Sequence, residues 1–400
     1  MAGPLDGIRV VEVANYLAAP ACAALMADLG ADVVKIEPPD GDVYRGHRTL
    51  REGDPISFPF AVDNRGKRSL TLDLGNPEAR DVVLRMAAQA DVLVTNLTPG
   101  RLRRYGLSFG DVHAAAPRTV FALLTGYGSS GPDSERAGFD GTTFFARSGV
   151  NWLIGEQGTP PVQSRAGQGD HMAALNLLAA TLAALRLRDR DGEGQFVDVS
   201  LLRTGVWAIA SDTQQALNRE EWNFEHQSRA THWHLTRNTY QTSDDRWLQL
   251  TMPIPERYWA RFCRAIGRDE LAEDTRYNST AAMRENGPAL LPEIEAIFRD
   301  GDVADWSRRL DAEGCIWSLI RTPFEVVADP QLRDAGTFRE VTDSAGATYN
   351  VLAAPFTIHG ADIEPRGAAP AVGEHTNEVL EAYGFTADEV ADLAAKRVFG

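Results

Sequence analysis

Four hundred residues, 44% hydrophobic and 24% charged, can bury a large core and fit neither a disordered nor a fibrous chain, and two domains or lobes are expected. The formal net charge of −16 argues against non-specific nucleic-acid or membrane binding, so an anionic ligand would have to be met by a local basic patch. Cys22, Cys263 and Cys315 are an odd number, far apart and without paired-ligand spacing, which gives no disulfide framework and no zinc site and fits reduced thiols in the cytoplasm.

The N-terminus, MAGPLDGIRVVEVA, lacks an apolar core long enough for a secretion signal. IRVVEV (8 to 13) reads as a buried strand, APACAALMADLG (19 to 30) as a helix with Pro20 in its first turn, and DVVKIE (32 to 37) as a second strand. The alternation continues with SLTLDL (69 to 74), a helix opening at Asn76-Pro77, DVLVTN (91 to 96), a short helix from Pro99 to Tyr105 and TVFALLTGYG (119 to 128). Strands separated by helices imply a largely parallel sheet covered on both faces. A long helix starts at Asp170, followed by a strand (194 to 200) and a helix from Leu201 to about Asn218. That long helix is too short, and too closely followed by Arg186, Arg188 and Arg190, to span a bilayer.

From residue 222 the texture becomes polar and aromatic, which reads as a connector over 222–238 between a large domain (1–221) and a small domain (239–330), with 331–400 returning to the large one. The small domain should open with a hairpin turning on Asp244-Asp245, followed by helices near 255–267, 281–299 and 302–313. Beyond 335 come a strand-like segment (349 to 358) and a terminal helix from about Thr386. The expected fold class is α/β: a Rossmann-like parallel sheet plus a smaller α+β domain.

The first strand-to-helix turn, VEVANYLAAP, has Tyr16 and Leu17 where a dinucleotide-binding motif needs glycines, so it argues against a nicotinamide dehydrogenase, and the phosphate-binding P-loop signature is absent too. Two basic clusters remain, Arg101, Arg103 and Arg104 in NLTPGRLRRYG and Arg65, Lys67 and Arg68 in NRGKRS. Either selects an anionic ligand or is a solvated face paired with nearby carboxylates. Asp170 lies between Gly169 and a long apolar run. Taken alone that is the pattern of an N-cap, but the helix N-terminus would also keep the carboxylate ionised, and Gly167 and Gly169 would leave room for a bulky partner: an accessible nucleophile.

Five segments in order, PLDGIRVVEVANYLAAPACAALMADLGADVVKIEPPDGD, NRGKRSLTLDLGNPEAR, ADVLVTNLTPGRLRRYGL, GYGSSGPDSERAGFDGTTFFARSGV and AGQGDHMAALNLLAATLAALRLRDRDGEGQFVDVSL, resemble the class III coenzyme A transferases (CaiB/BaiF type), relatives of formyl-CoA transferase and α-methylacyl-CoA racemase. The resemblance spans nearly the whole chain. It implies that Asp170 is the nucleophile and Asp140 an acidic helper. It lays the CoA substrate along Asn15, Leu17 and Ala18, the stretch Leu72 to Gly75, the residues Asn96, Leu97 and Thr98, and Arg104, with Lys67 a weaker phosphate candidate and the loop Arg136 to Phe139 closing over it. Pro38 and Gly75 stand where some relatives carry basic side chains, so the nucleotide end would be held differently. It also implies no tightly bound cofactor, no metal, an interlocked homodimer, and acyl-CoA and carboxylic acid as substrates.

The reaction so implied is CoA transfer through aspartyl mixed-anhydride and aspartyl-CoA thioester intermediates, with Gly167, Gly169 and the GYGSSG loop as candidate oxyanion donors. Alternatives are a racemase or isomerase of the same fold and a non-catalytic acyl-CoA binder. Racemases of this family place His before the acidic residue where this chain has Phe139, and the adjacent His171 is expected to face outward or bond the backbone. TMPIPERYWARFC has no glycine where some relatives carry a glycine-rich loop, which argues against an oxalate-specific site. Trp222, Phe224, Trp233 and Tyr240 either line a pocket for a larger acid or serve packing.

Overall fold

The computed structural model describes residues 2–46, 54, 56–156, 158–221 and 228–400. Its chain divides into two compact units, one of residues 1–154, 161–222 and 331–400, the other of residues 155–160 and 223–330.

In the larger unit the strands and helices alternate: β1 (Arg9–Val13), α1 (Ala18–Asp28), β2 (Asp32–Glu37), α2 (Phe58–Asn64), β3 (Arg68–Thr71), α3 (Pro77–Ala87), β4 (Val92–Thr95), α4 (Pro99–Tyr105), α5 (Phe109–Ala115) and β5 (Val120–Thr125). A π-helical turn (Gly141–Arg147) and the short α6 (Val150–Leu153) lead to α7 (Gln168–Asp191), β6 (Phe196–Ser200), α8 (Leu201–Ala208) and α9 (Ala210–Asn218). The single helix expected over 201–218 is thus broken in two at Ile209 (φ −110°, ψ 33°). All six strands are parallel in the order β3-β2-β1-β4-β5-β6. Val10, Val33, Val92 and Ala122 face one apolar layer with α1 and α7, while Val11, Val34, Leu93 and Phe121 face the other with α3. Strands buried on both faces read as continuous Val/Leu runs, which is what made them visible in the sequence.

Every residue of α1 is buried, as its Ala-rich run requires of a helix apolar all round. Its flank holds buried charge: Lys35 Nζ contacts Glu12 Oε1 (2.9 Å) and Asp42 Oδ2 (2.8 Å), and Lys67 Nζ contacts Glu12 Oε2 (2.6 Å). Arg65 Nε donates to Asp28 Oδ1 (3.1 Å), and Arg68 pairs with Asp32 (2.7 Å) and Glu378 (3.0 Å). The NRGKRS run is therefore internal ion pairing, neither a phosphate site nor a solvated face, and the Lys67 assignment is corrected accordingly.

The smaller unit holds β7 (Thr239–Gln241), β8 (Trp247–Leu250), α10 (Pro255–Ala265), α11 (Thr280–Arg299), α12 (Val303–Ala312), β9 (Trp317–Leu319) and α13 (Pro323–Val326). β7 and β8 form the antiparallel hairpin, with Asp245 left-handed (φ 57°) in its turn, and β9 adds an antiparallel third strand that the sequence reading missed. Tyr240 is fully buried and stacks on Phe298 at 4.4 Å, and half-buried Trp233 packs on the same core. Both are packing residues, while Trp222 and Phe224 lie outside the described residues. α14 (Pro330–Asp334) opens the last segment of the chain, where β10 (Phe338–Thr342) and β11 (Thr348–Leu352) pair antiparallel before α15 (Thr376–Ala382) and α16 (Ala387–Ala395). β10 was also missed, because its FREVT sequence carries two charges in five residues. Among the described residues no helix is long and apolar enough to cross a membrane.

Candidate functional site

In a parallel sheet of this order, β1 and β4 are the neighbours from which the chain winds in opposite directions, and the crevice beyond their C-terminal ends is the natural ligand site. Asn15 follows β1 and Asn96 follows β4, and they bridge that point: Asn15 N–H donates to Asn96 Oδ1 (3.1 Å) and Asn96 Nδ2 donates to Asn15 O (2.6 Å). The next residue, Tyr16, adopts φ 62°, a region costly for a side chain of that size. Its N–H donates to Asp42 Oδ1 (3.2 Å), and the same carboxylate is gripped by buried Lys35. The buried charge beside α1 thus fixes the turn that glycines fix in dinucleotide-binding proteins.

A cavity of about 510 Å³ opens beside this turn, lined by Asn15, Tyr16, Leu17, Ala18, Tyr44, Asn96, Thr98, Arg101, Arg136, Phe139, Asp140, Gly167 and Asp170 among others. A smaller cavity of about 120 Å³ shares Asn15 and Arg101 with it and is lined further by Ile36, Pro38, Leu72, Gly75, Leu97 and Tyr105. Of the two aspartates and the residues expected to lie along CoA, the structure brings Asp170, Asp140, Asn15, Leu17, Ala18, Leu72, Gly75, Asn96, Leu97, Thr98, Arg136 and Phe139 to two adjoining cavities, whereas Lys67, Gly169 and, apart from Gly126, the GYGSSG loop line neither. Arg104 is exposed and also lines neither. Arg101, three residues earlier on the same helix, lines both, and no carboxylate pairs with it among the described residues, while Arg103 is taken by Glu135 at 2.6 Å. Arg136 is likewise without a carboxylate partner and lies over the Tyr127 ring at 5.7 Å. Sequence spacing could place a guanidinium on this turn but not choose the face. Among the described residues no cluster of side chains could hold a metal ion.

Asp170 is the third residue of α7, whose N-cap is Gly167 in the left-handed conformation (φ 98°). It is therefore not an N-cap, and its carboxylate accepts no hydrogen bond among the described residues. The capping work falls to Asp140: its Oδ1 accepts from Gly141 N–H (2.7 Å), and its Oδ2 accepts from Gly167 N–H (2.8 Å) and Gly169 N–H (3.3 Å). Two helix starts, of the π-turn and of α7, converge on one buried carboxylate, which supplies acceptors for N–H groups that have no partner within their own helices. The two glycine N–H groups expected to serve an oxyanion are thus already engaged.

Gly169 does not leave room for a ligand. A Cβ there would stand 2.6 Å from Cγ and 2.7 Å from Cβ of Phe144, so the missing side chain is what lets α7 press against the π-turn. Gly169→Ala is expected to cost about 2 kcal/mol of stability through overpacking, read as a lower urea midpoint at unchanged slope, with the start of α7 displaced.

The expectation that the helix N-terminus keeps Asp170 ionised is also overturned. Burial raises its carboxyl to about 7, the neighbouring Asp140 carboxylate adds to the rise, and His171 opposes it. Loss of water outweighs a dipole that acts only within the first turn. His171 is half exposed, as expected of a residue facing outward, but its ring does not bond the backbone among the described residues: its Nε2 lies 3.0 Å from Oδ1 of buried Asp63. Sequence reading names Arg101 in its basic cluster but chooses Arg104, and it singles out neither Tyr16 on the cavity wall nor Asp63 behind His171 as a site residue. Tyr16 carried a visible signal, a bulky residue at a turn where glycine is usual.

A family model described as "CoA-transferase family III" matches residues 5–376. The chain is 30% identical to (R)-2-hydroxy-4-methylpentanoate CoA-transferase of Clostridioides difficile, over 98% of this chain and 99% of that protein. It is 29% identical to cinnamoyl-CoA:phenyllactate CoA-transferase of Clostridium sporogenes, covering 97% and 95%. Among solved structures, a CAIB/BAIF family protein from Brucella suis superposes with a TM-score of 0.84 at 29% identity, covering 96% of this chain and all of that one.

Proposed function

Because the chain belongs to family III of the CoA-transferases, and is an enzyme of that class, we propose that it moves CoA from an acyl-CoA thioester to a free carboxylic acid through covalent bonds to Asp170. The observation that carries this reading is a carboxylate that accepts no hydrogen bond among the described residues, raised to about 7, on the wall of a cavity large enough for a pantetheine arm. A carboxyl held this far above its ordinary value costs the fold stability in its charged form at neutral pH, which is the expected mark of a working group.

Asp170 attacks the donor carbonyl carbon, the C–S bond breaks, and the CoA thiolate leaves a mixed anhydride. The thiolate then attacks the Asp170 carbonyl, releasing the donor carboxylate and forming the aspartyl-CoA thioester. The acceptor carboxylate displaces the thiolate again, and the thiolate takes the new acyl group, freeing Asp170. Carboxylates and thiolate are all charged nucleophiles, so no general base is needed. The N–H groups at the start of α1, which has no side-chain cap and whose Leu17 and Ala18 border the cavity, are the oxyanion donors we assign in place of Gly167 and Gly169. Arg101 replaces Arg104 as the phosphate ligand, at the junction of the two cavities. Racemisation needs a second base, and the nearest candidate, Asp140, is held by three backbone N–H groups.

We place the protein in the cytoplasm on its three buried free thiols, and we propose a homodimer. Support for the dimer is that α9 buries none of its residues while Trp207 and Leu217 are 75% and 74% exposed. A monomeric mass in solution overturns that part.

Incubation with acyl-CoA donors and isotope-labelled free acids should move CoA onto the acid, and hydroxylamine should trap Asp170. Exchange of the α-proton without CoA movement would instead show an isomerase, and binding without either a non-catalytic protein.

A further inference from the structure

Behind the nucleophile lies a second carboxylate that the transfer scheme does not use. Asp63, in α2, is 1% exposed, and among the described residues its Oδ2 is buried without a hydrogen-bond partner. Its Oδ1 meets the imidazole of the residue that follows Asp170, at 3.0 Å. Burial raises the Asp63 carboxyl, and the bond to His171 works against that rise. In return, the bond to Asp63 is the foremost reason that the His171 imidazole holds its proton more tightly than usual, although the ring is half exposed.

Among the described residues the charged groups around the pair can be named. Asp170 and His171 stand on α7, Asp140 faces Asp170 from the π-turn, and Asp63 comes from α2. Arg65 and Lys67, just beyond α2, are committed elsewhere: Arg65 to Asp28, and Lys67 to Glu12, with Lys67 Nζ also donating to the main-chain oxygen of Asp63 at 2.7 Å. Three carboxylates, Asp63, Asp140 and Asp170, therefore meet with His171 as the cation next to them.

We propose that Asp63 and His171 are a positioning pair for the nucleophile: the buried carboxylate anchors an imidazolium beside Asp170, and that cation keeps the Asp170 carboxylate ionised for attack. Asp63 touches no substrate and acts only through His171. The proposal rests on the reading of Asp170 as the nucleophile of CoA transfer, and the tests separate the two.

His171 is the cation that lowers Asp170, against Asp140 and Asp63 which raise it, while Arg101 and Arg136 line the same cavity farther along its wall; His171→Gln should therefore move the acidic limb of kcat/KM to higher pH. A displacement of one pH unit is a tenfold loss on the limb, so at pH 6 the variant should lose about tenfold, with less than about a twofold change on the alkaline plateau. His171→Arg, which restores a cation, should keep the limb near its wild-type position. Independently of turnover, the carboxyl ¹³C signal that disappears in Asp170→Asn should titrate at higher pH in His171→Gln, and the His171 ring signal should titrate at lower pH in Asp63→Asn. An unchanged carboxyl titration in His171→Gln, or an unchanged ring titration in Asp63→Asn, overturns the pair whatever the activity. Shifted titrations in a protein that moves no CoA at any pH would keep the pair and overturn the transfer reading.

Discussion

Asp170→Ala loses CoA transfer by about four orders of magnitude or more, the loss expected for a covalent nucleophile, while acyl-CoA binding changes by less than about threefold. The cavity-lining residues proposed to bind acyl-CoA, Asn15, Asn96, Thr98 and Arg101, are on other elements and make no bond to Asp170, so their geometry survives. The same substitution should leave the protein as stable or more stable. Asp170 is raised from 3.8 to about 7, so the folded state holds its proton more tightly than the unfolded one. Its contribution to stability is therefore greatest below about pH 4 and is lost as pH rises through 7. Thermal melts should show the variant gaining on the parent between pH 4 and 7, with no gap at pH 4. A variant that still turned over, or that melted lower at pH 8, would remove Asp170 from the role given to it.

Asp140→Asn should do the reverse to the fold. The carboxylate accepts three backbone N–H groups at 2.7, 2.8 and 3.3 Å in a buried position. An amide of the same shape keeps one acceptor oxygen and turns an NH₂ against a donor. Losing hydrogen bonds to a charged acceptor, with buried donors left unmet, costs about 4 kcal/mol here, seen as a large drop in urea midpoint. Turnover should fall by about a hundredfold because the start of α7 carries Asp170 out of register. Loss of the Asp140 charge should also move the acidic limb of the residual activity to lower pH, opposite to His171→Gln, since Asp140 is the neighbour that raises Asp170 most after burial. Near-wild-type stability in Asp140→Asn would show that Gly167 and Gly169 find other acceptors.

The elements that were legible in the sequence are those with a strong local signature. Asn76 caps α3 ahead of Pro77, Thr386 and Glu389 form the capping box of α16, and VFALLT is buried throughout as β5. Weak local signals failed: β9 has three residues and β10 carries two charges in five, and both exist because a partner strand supplies their hydrogen bonds. The site divides the same way. Asn15 and Asn96 come from the resemblance to the family and Asp170 from that resemblance together with its glycine-flanked place at a helix start; the strand ends where loops carry ligands agree with all three. Arg101 in place of Arg104 depends on the face of a seven-residue helix, which the sequence leaves open.

By itself, then, the order of buried strands and helices determined an α/β protein with a parallel sheet, the absence of a glycine motif in the first turn, and an aspartate at the head of a long helix. Tertiary structure alone decided what that aspartate experiences. Its ionisation depends on Asp140 and Asp63, 30 and 107 positions upstream, and the first turn is held through Asp42 and Lys35. Helical and strand periodicity reports only on residues a few positions apart. Desolvation and charge pairing act through space, between groups that the sheet order brings together.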